Sequence, residues 1–303
     1  MHIAFITPTR NRPVHLARML RSLAAQTRPP DQVIVVDASN EPDSGRGRQS
    51  DSVPLDYVRW TEAPSSALQR NDGIARLRDD IDLVCFFDDD QELHPDAVES
   101  MVDFWESASP DIGAASFNEA TYRDSRTLIW RKLGLGSLLG LYSRQPGRVS
   151  PSGWHSLYGQ VDRNTECDWL SSKALVVRRP LLDTHRFDPF FEGYSYLEDL
   201  EFTYGLSRHC RLVIVADAQF DHHQPPRGDD FDWRDFGRRE VRNRLYFVRK
   251  HGLSVPRCYL GLLIRLGMTL GEALFTLDRS AWHRALGNAE ELSPPHRRGI
   301  RTE

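Results

Sequence analysis

The sequence predicts an α/β protein built on a doubly wound sheet, and three observations carry that expectation. Short apolar runs alternate with helical patterns through the first ~115 residues, and parallel strands need crossovers of a dozen residues or more. The run Leu83-Val84-Cys85-Phe86-Phe87 is short, apolar and aromatic, as suits a strand covered on both faces, and it stops on Asp88, Asp89 and Asp90. Ligands of open α/β sheets bind beyond the carboxyl ends of the strands, so this acidic triplet belongs at a crevice.

The elements follow in order. His2 to Ile6 reads as a strand, and Pro13 opens a helix with Leu16, Leu20, Leu23 and Ala24 at helical spacing before Pro29-Pro30 closes it. Val33 to Val36 is the next strand, ending on Asp37. Tyr57 to Trp60 is a third strand candidate, and Ser65 to Arg78 a helix with Leu68, Ile74, Ala75 and Leu77 on its apolar side. The Asp88 strand follows, then a helix from Pro95 and Asp96-Ala97-Val98, then a strand over Ile112 to Phe117. From Trp130 to Tyr142 the pattern is irregular, and its glycines argue against a stable helix; a lid and a membrane-interface contact are the two readings. Val213-Ile214-Val215 begins another strand-like run, which ends on His222 and His223.

The chain has 303 residues with 40% hydrophobic content, enough to bury a sizeable core, and this excludes disorder as the default. A net charge of -4 gives no reason to expect a nucleic-acid partner, although Arg234 to Arg265 carries nine basic residues against two acidic ones. Four well-separated cysteines without a CxxC indicate neither a disulfide scaffold nor a zinc knuckle, and a reducing cytoplasm is the expected compartment. The N-terminus runs into a strand without a basic region or cleavage site, unlike a signal peptide. No GxGxxG follows the first strand and no GxxxxGK[ST] occurs, so a bound diphosphate needs another means of being held.

Three adjacent carboxylates repel one another, and at a crevice of low dielectric a cation or protons must neutralise part of that charge; a divalent metal answers this. The plainer alternative is a solvated loop with one Asp capping the next helix. Glu92 adds a fourth acid, and the helix starts several residues later, which leaves too many acids, too early, for capping alone.

Phe86-Phe87-Asp88-Asp89-Asp90 resembles the DxD signature of nucleotide-sugar-dependent glycosyltransferases with the GT-A fold, family 2 in particular. Further stretches resemble that family in order. Thr7-Pro8-Thr9-Arg10-Asn11-Arg12 is similar to its opening donor-binding turn, which implicates Pro8, Thr9 and Arg10; an ordinary polar loop is the alternative. Asp37 stands where the family's second acid contacts the nucleoside, or is a strand-end Asp bonding its own turn. Gln69-Arg70-Asn71-Asp72-Gly73-Ile74 resembles the RNxG segment, in which Arg70 helps hold the nucleotide and Gly73 permits close packing. Cys167 to Arg179 occupies the place of a strand that usually carries small residues, from which Ser172 and Lys173 depart. Phe187 to Phe202 resembles the ED segment, whose Asp199 is the general base, while Ser195-x-x-Glu198 also fits a capping box. The His pair resembles the C-terminal metal ligand; alternate strand side chains face opposite ways, so one His reaches a metal, His222 by choice and His223 as the alternative. Arg242 to Lys250 is similar to a stretch of polysaccharide-assembly members.

The resemblance implies a Rossmann-like doubly wound mixed sheet of the GT-A type, with a catalytic domain over 1-230 and a basic, mainly helical extension over 231-303. Nucleotide-sugar binding falls mainly in 1-117 and the acceptor side in 118-230. The implied activity is inverting sugar transfer from a nucleotide-diphosphate donor to a hydroxyl of a saccharide or lipid-linked acceptor, in cell-surface polysaccharide or glycolipid assembly. Asp90 and His222 hold Mn or Mg, Asp88 binds the ribose or orients the metal with Asp89 beside it, and Thr9, Asp37 and Arg70 hold the nucleoside. Two rivals share the acids: a metal-dependent nucleotidyltransferase or phosphoesterase, with two ions about 4 Å apart, and a catalytically silent membrane-assembly protein of the same fold. Tyr259 to Leu277 is apolar, but Arg265, Glu272 and three glycines interrupt it, so it is expected to lie in a membrane interface or to pack as an ordinary helix. The expected location is the cytoplasm, with peripheral contact at the inner face of the cell membrane.

Overall fold

The computed structural model describes residues 1–41, 53–122, 135–193, 195–223 and 231–293. The chain divides into two compact units, one of Met1–Trp130, Gln145–Arg148 and His155–Pro225, the other of Arg131–Arg144, Val149–Trp154 and Pro226–Glu303.

The first unit holds one mixed sheet. Its strands are β1 (Ile3–Thr9), β2 (Gln32–Asp37), β3 (Leu55–Arg59), β4 (Leu83–Phe87), β5 (Gln91–Leu93), β6 (Ile112–Glu119), β7 (Thr165–Cys167), β8 (Ala174–Arg178) and β9 (Arg211–His222). They lie in the order β3-β2-β1-β4-β8-β6-β9-β5, with β7 also paired to β9. The helices are α1 (Pro13–Ala24), α2 (Ser66–Ile74), α3 (Ala97–Ser107) and α4 (Glu198–Ser207).

Strand alternation divides the core between two faces. Phe5, Val33, Val35, Cys85 and Phe87 pack with Leu16 and Met19 of α1 and Val98 and Met101 of α3. Ala4, Ile6, Ile34, Val84 and Phe86 face the other way, with Ala67 and Ile74 of α2 and Phe202 and Leu206 of α4. The expected doubly wound sheet is present, and β8, antiparallel to both β4 and β6, makes it mixed.

Topology places the crevice. The chain leaves β1 through α1 to β2 on one side, then returns through α2 to β4 on the other side of β1. The carboxyl ends of β1 and β4 therefore flank a switch point of the strand order, where ligands of such sheets bind. Both strands are parallel, with Ile6 opposite Phe86, and continuing that register brings Thr9 level with Asp89. Gly73 lets α2 sit close against β1: a Cβ there would fall 2.4 Å from Ile6 Cγ2.

Some boundaries move. Thr7 to Thr9, expected as a turn, extend β1, because they pair with Val35 to Asp37. The second helix stops at Ile74 rather than Arg78, and the strand expected to end at Phe117 continues to Glu119. In the irregular stretch, Trp130 to Gly134 lie outside the described residues, and Leu135–Leu138 forms a single helical turn.

The second unit contains α5 (Trp233–Lys250), α6 (Val255–Thr276) and α7 (Arg279–Leu292). Asp232 and Asp278 cap α5 and α7 by accepting from backbone N–H groups of their first turns. A Cβ on Gly237 would meet the Arg284 carbonyl oxygen at 2.2 Å, so α5 and α7 cross backbone to backbone. Arg284 Nε donates to Glu240 Oε2 at 2.6 Å beside that crossing. Arg244 is buried, donates to the Gly153 carbonyl at 2.6 Å and stacks on the Trp154 ring.

Candidate active site

The acidic triplet fans out from the end of β4 to three different partners. Asp88 accepts from Arg70 Nη2 at 2.7 Å. Asp89 accepts from Thr9 Oγ1 at 2.7 Å and from Arg12 Nη1 at 3.2 Å. Asp90 accepts from Gln91 Nε2 at 2.7 Å and from Arg12 Nη1 at 3.3 Å, and its Oδ1 lies 3.8 Å from His222 Nε2. Two arginines thus supply part of the positive charge for which the sequence alone suggested a metal.

Burial, with repulsion from its two neighbours added, pushes Asp89 up to about 6 against the pull of Thr9 and Arg12. Burial and Asp88 raise Asp90 as well, opposed by His222 and Arg12.

Arg70 is 2% exposed and uses both terminal nitrogens on carboxylates. While Nη2 holds Asp88, Nη1 donates to Glu198 Oε1 at 2.8 Å, and the guanidinium lies over the Phe187 ring. Arg70, expected to hold the nucleoside, ties the end of β4 to the start of α4. The rest of α2 reinforces that tie: Asn71 and the Phe187 backbone exchange two hydrogen bonds, and Gln69 Nε2 donates to the carbonyls of Thr9 and Val36. The ends of β1 and β2 and the ED segment are thereby gathered around one helix.

The capping box expected of Ser195 and Glu198 does not form. Helix α4 begins after Leu197, which takes a left-handed φ of 73°, and Ser195 Oγ donates to the Phe191 carbonyl instead. Glu198 is drawn away to the buried charge of Arg70. Asp199, half-buried next to it, accepts from the Leu200 N–H at 2.8 Å and hydrogen-bonds the Ser171 hydroxyl. Burial raises both carboxylates; Arg70 opposes this in each, and their mutual repulsion adds to it in Glu198.

The remaining expected residues are more dispersed. Pro8 is buried in β1, and Arg10 is exposed just beyond it. Asp37 is buried at the end of β2, where it accepts from Ser39 and from the Tyr57 hydroxyl. His222 and His223 diverge: His223 Nε2 contacts Glu92 at 2.8 Å, whereas His222 turns inward to Asp90 and Glu119. Glu119, at the end of β6, is a site residue that the sequence reading missed, although its position closing an apolar strand matches that of Asp37 and Asp88. Lys173 Nζ donates to it at 2.7 Å, and despite burial the contacts with His222 and Lys173 hold Glu119 down to about 2. Arg12, which the sequence offers only as the end of the stretch from Thr7 to Arg12 and without a role of its own, contacts two of the three acids.

A mixed, doubly wound sheet with an acid-lined crevice at this switch point is the GT-A architecture of glycosyltransferases. The model of the family described as glycosyl transferase family 2 matches residues 4–159, more than half of the chain, and the chain belongs to that family. Among solved structures it is similar to Staphylococcus aureus TarS 1-349, with a TM-score of 0.57 at 16% identity over 97% of this chain and 81% of that one. The same protein in complex with UDP-GlcNAc gives 0.59 at 15% identity over 97% and 82%. The mannosyltransferase PcManGT from Pyrobaculum calidifontis, in complex with GDP-Man and Mn2+, gives 0.55 at 15% identity over 96% and 87%. At these identities the likeness speaks for the fold. No curated protein matches the chain.

The Arg70 bridge makes a direct prediction. Replacing it by Met strands two carboxylates that are largely shielded from water, and breaking a buried pair from one side costs about 3–5 kcal/mol. Urea denaturation should show a loss of that order for Arg70→Met, partly recovered in the double variant with Glu198→Gln. A loss below about 1 kcal/mol would make the bridge incidental.

Proposed function

We propose that this glycosyltransferase moves a sugar from a nucleotide-diphosphate donor to an acceptor hydroxyl with inversion, assisted by a divalent cation. The observation that carries this reading is the Arg70 bridge, which places the acids at the end of β4 and the Glu198-Asp199 pair on opposite sides of one guanidinium. Donor-side and base-side chemistry thus share one crevice. The complexes of TarS with UDP-GlcNAc and of PcManGT with GDP-Man and Mn2+ support a nucleotide-sugar donor.

The residues present fit a cation in one place. Asp90 Oδ1 and His222 Nε2 are 3.8 Å apart, too far for a hydrogen bond and near enough for one small divalent ion with bonds of ~2.1 Å to reach both. No group of three His, Cys, Asp or Glu suited to a metal occurs among the described residues, so donor diphosphate and water would complete the coordination. Bound there, Mn²⁺ or Mg²⁺ would neutralise charge on the departing diphosphate.

The chain's own residues do the rest. Asp199 accepts the proton of the acceptor hydroxyl as the new C1–O bond forms and the bond from C1 to the diphosphate breaks. One displacement with no enzyme-bound sugar inverts the anomeric centre. The raised affinity of Asp199 for protons brings it nearer to neutral working pH, where a general base is most effective. Asp88 would meet the ribose or orient the metal, and Thr9, Asp37 and Arg70 would hold the nucleoside.

The acceptor side is read as a saccharide or lipid-linked hydroxyl in cell-surface polysaccharide or glycolipid assembly, on the cytoplasmic face of the membrane. Among the described residues, α6 alone is long and apolar enough to cross a bilayer. Leu260, Leu263, Ile264, Leu274 and Phe275 form an exposed stripe on it, with Phe275 92% exposed, while Cys258, Leu262, Thr269 and Ala273 face inward. An apolar stripe with Arg257 at one end suits the surface of an anionic leaflet.

Three outcomes are expected. Asp90→Ala and excess EDTA should each abolish transfer, and Asp90→Ala should also erase the thermal shift that a matching UDP- or GDP-sugar gives with MnCl2, about 2.7 kcal/mol at 100 times Kd; full activity in EDTA would refute metal dependence. Asp199→Asn should lower kcat by roughly 10²–10⁴-fold with donor affinity nearly unchanged, and wild-type turnover would shift the base to Glu198. The protein should sediment with phosphatidylserine vesicles at low salt and stay in solution at high salt. The Leu263→Asp/Phe275→Asp variant should lose that binding, and sedimentation equal to wild type would remove α6 from the contact.

A further inference from the structure

Glu119 and His222 meet because β6 and β9 run parallel and end together, with Glu119 opposite Phe220 in the register. The His222 backbone is held there by its N–H, which donates to Thr121 Oγ1 at 2.8 Å. Its Nδ1 lies 3.2 Å from Glu119 Oε1, while Lys173 Nζ donates to the other oxygen of the same carboxylate. An ionised carboxylate only accepts, so Nδ1 must carry a proton for this contact to be a hydrogen bond. In the neutral imidazole the lone pair then belongs to Nε2, and Nε2 is the nitrogen that faces Asp90.

We propose that Glu119 is a positioning residue that holds His222 in its Nδ1–H form with Nε2 turned toward Asp90, and that Lys173 fixes Glu119 for this task. The inference deepens the reading in which Asp90 and His222 hold a divalent cation and rests on it for its purpose. A metal-ligating imidazole needs its other nitrogen occupied by an acceptor, which sets both tautomer and ring orientation. It also accounts for Lys173: without that partner, Glu119 would face the acids of β4 as one more uncompensated charge.

Two measurements separate this inference from the metal reading. Long-range ¹H–¹⁵N spectra of metal-free protein labelled at histidine, taken where the imidazole is neutral and assigned with His222→Gln, should show the Nδ1–H form in the wild type. Glu119→Ala should convert it to the Nε2–H form, Glu119→Gln should retain it through the amide oxygen, and Lys173→Met should yield a mixture. An Nε2–H wild type, or a Glu119→Ala spectrum unchanged from wild type, would overturn the proposal whether or not metal binds. If Glu119→Ala does not fold, the wild-type and Lys173→Met spectra decide: an Nε2–H wild type or an unchanged Lys173→Met spectrum overturns it. Titration with MnCl2 alone, followed by the electron paramagnetic resonance signal of free Mn²⁺, should then show affinity about 10–100-fold weaker in Glu119→Ala. Equal affinity would remove the positioning role, whereas a wild type that binds no Mn²⁺, like Asp90→Ala, would overturn the metal reading and leave the tautomer result to judge Glu119.

Discussion

A guanidinium that is 2% exposed is the constraint on which the site depends. Arginine does not give up its proton in proteins, so a buried Arg70 has to be met by carboxylates in good geometry, or the fold bears the full cost of an isolated charge. The two that meet it come from segments more than 100 residues apart, Asp88 at the end of β4 and Glu198 at the start of α4. Their convergence needs α2 close against β1, which the absence of a side chain at Gly73 allows. It also needs α2 correctly placed along its axis, which Gln69 and Asn71 secure through backbone groups of β1, β2 and the ED segment. The left-handed Leu197 immediately before Glu198 fits this view, since an uncommon backbone conformation survives only where surrounding contacts over-determine it.

Much of this was legible in the sequence because strand ends announce themselves. An apolar run that stops on a polar side chain gave the positions of Asp37, Asp88 and His222, and helical spacing gave α1 and the body of α2. What escaped depends on contacts distant in sequence. Ser195-x-x-Glu198 satisfies a local capping pattern, yet the attraction of Arg70 for Glu198 exceeds what an N-cap contributes, and no local rule registers that competitor. Arg12 reads as a loop residue until β1 and β4 lie side by side and bring Asp89 and Asp90 within reach. The three-residue strands β5 and β7 are too short to show any period. The assignment of Leu135–Leu138 and Val149–Trp154 to the same unit as α5, α6 and α7 has no sequence signal either, because it rests on contacts such as that of Arg244 with the Gly153 carbonyl.

The charges of the crevice carry opposite signatures with pH, and the sign follows from the direction of each shift. Asp89, raised to about 6, binds its proton more tightly in the folded than in the unfolded chain, so its contribution favours folding at low pH and is lost as pH rises through 6. Glu119, held down to about 2, contributes stability present above the ordinary glutamate range and lost only as pH falls toward 2. At neutral pH the β4 side of the site is therefore strained by its own ionised acids, while the β6 side is stabilised by Lys173 and His222. A positive group that reached the β4 acids would relieve the strained side. Arg12, whose side chain is partly open to solvent, already does this in part. A crevice left in this state favours ligands that bring positive charge to Asp89 and Asp90.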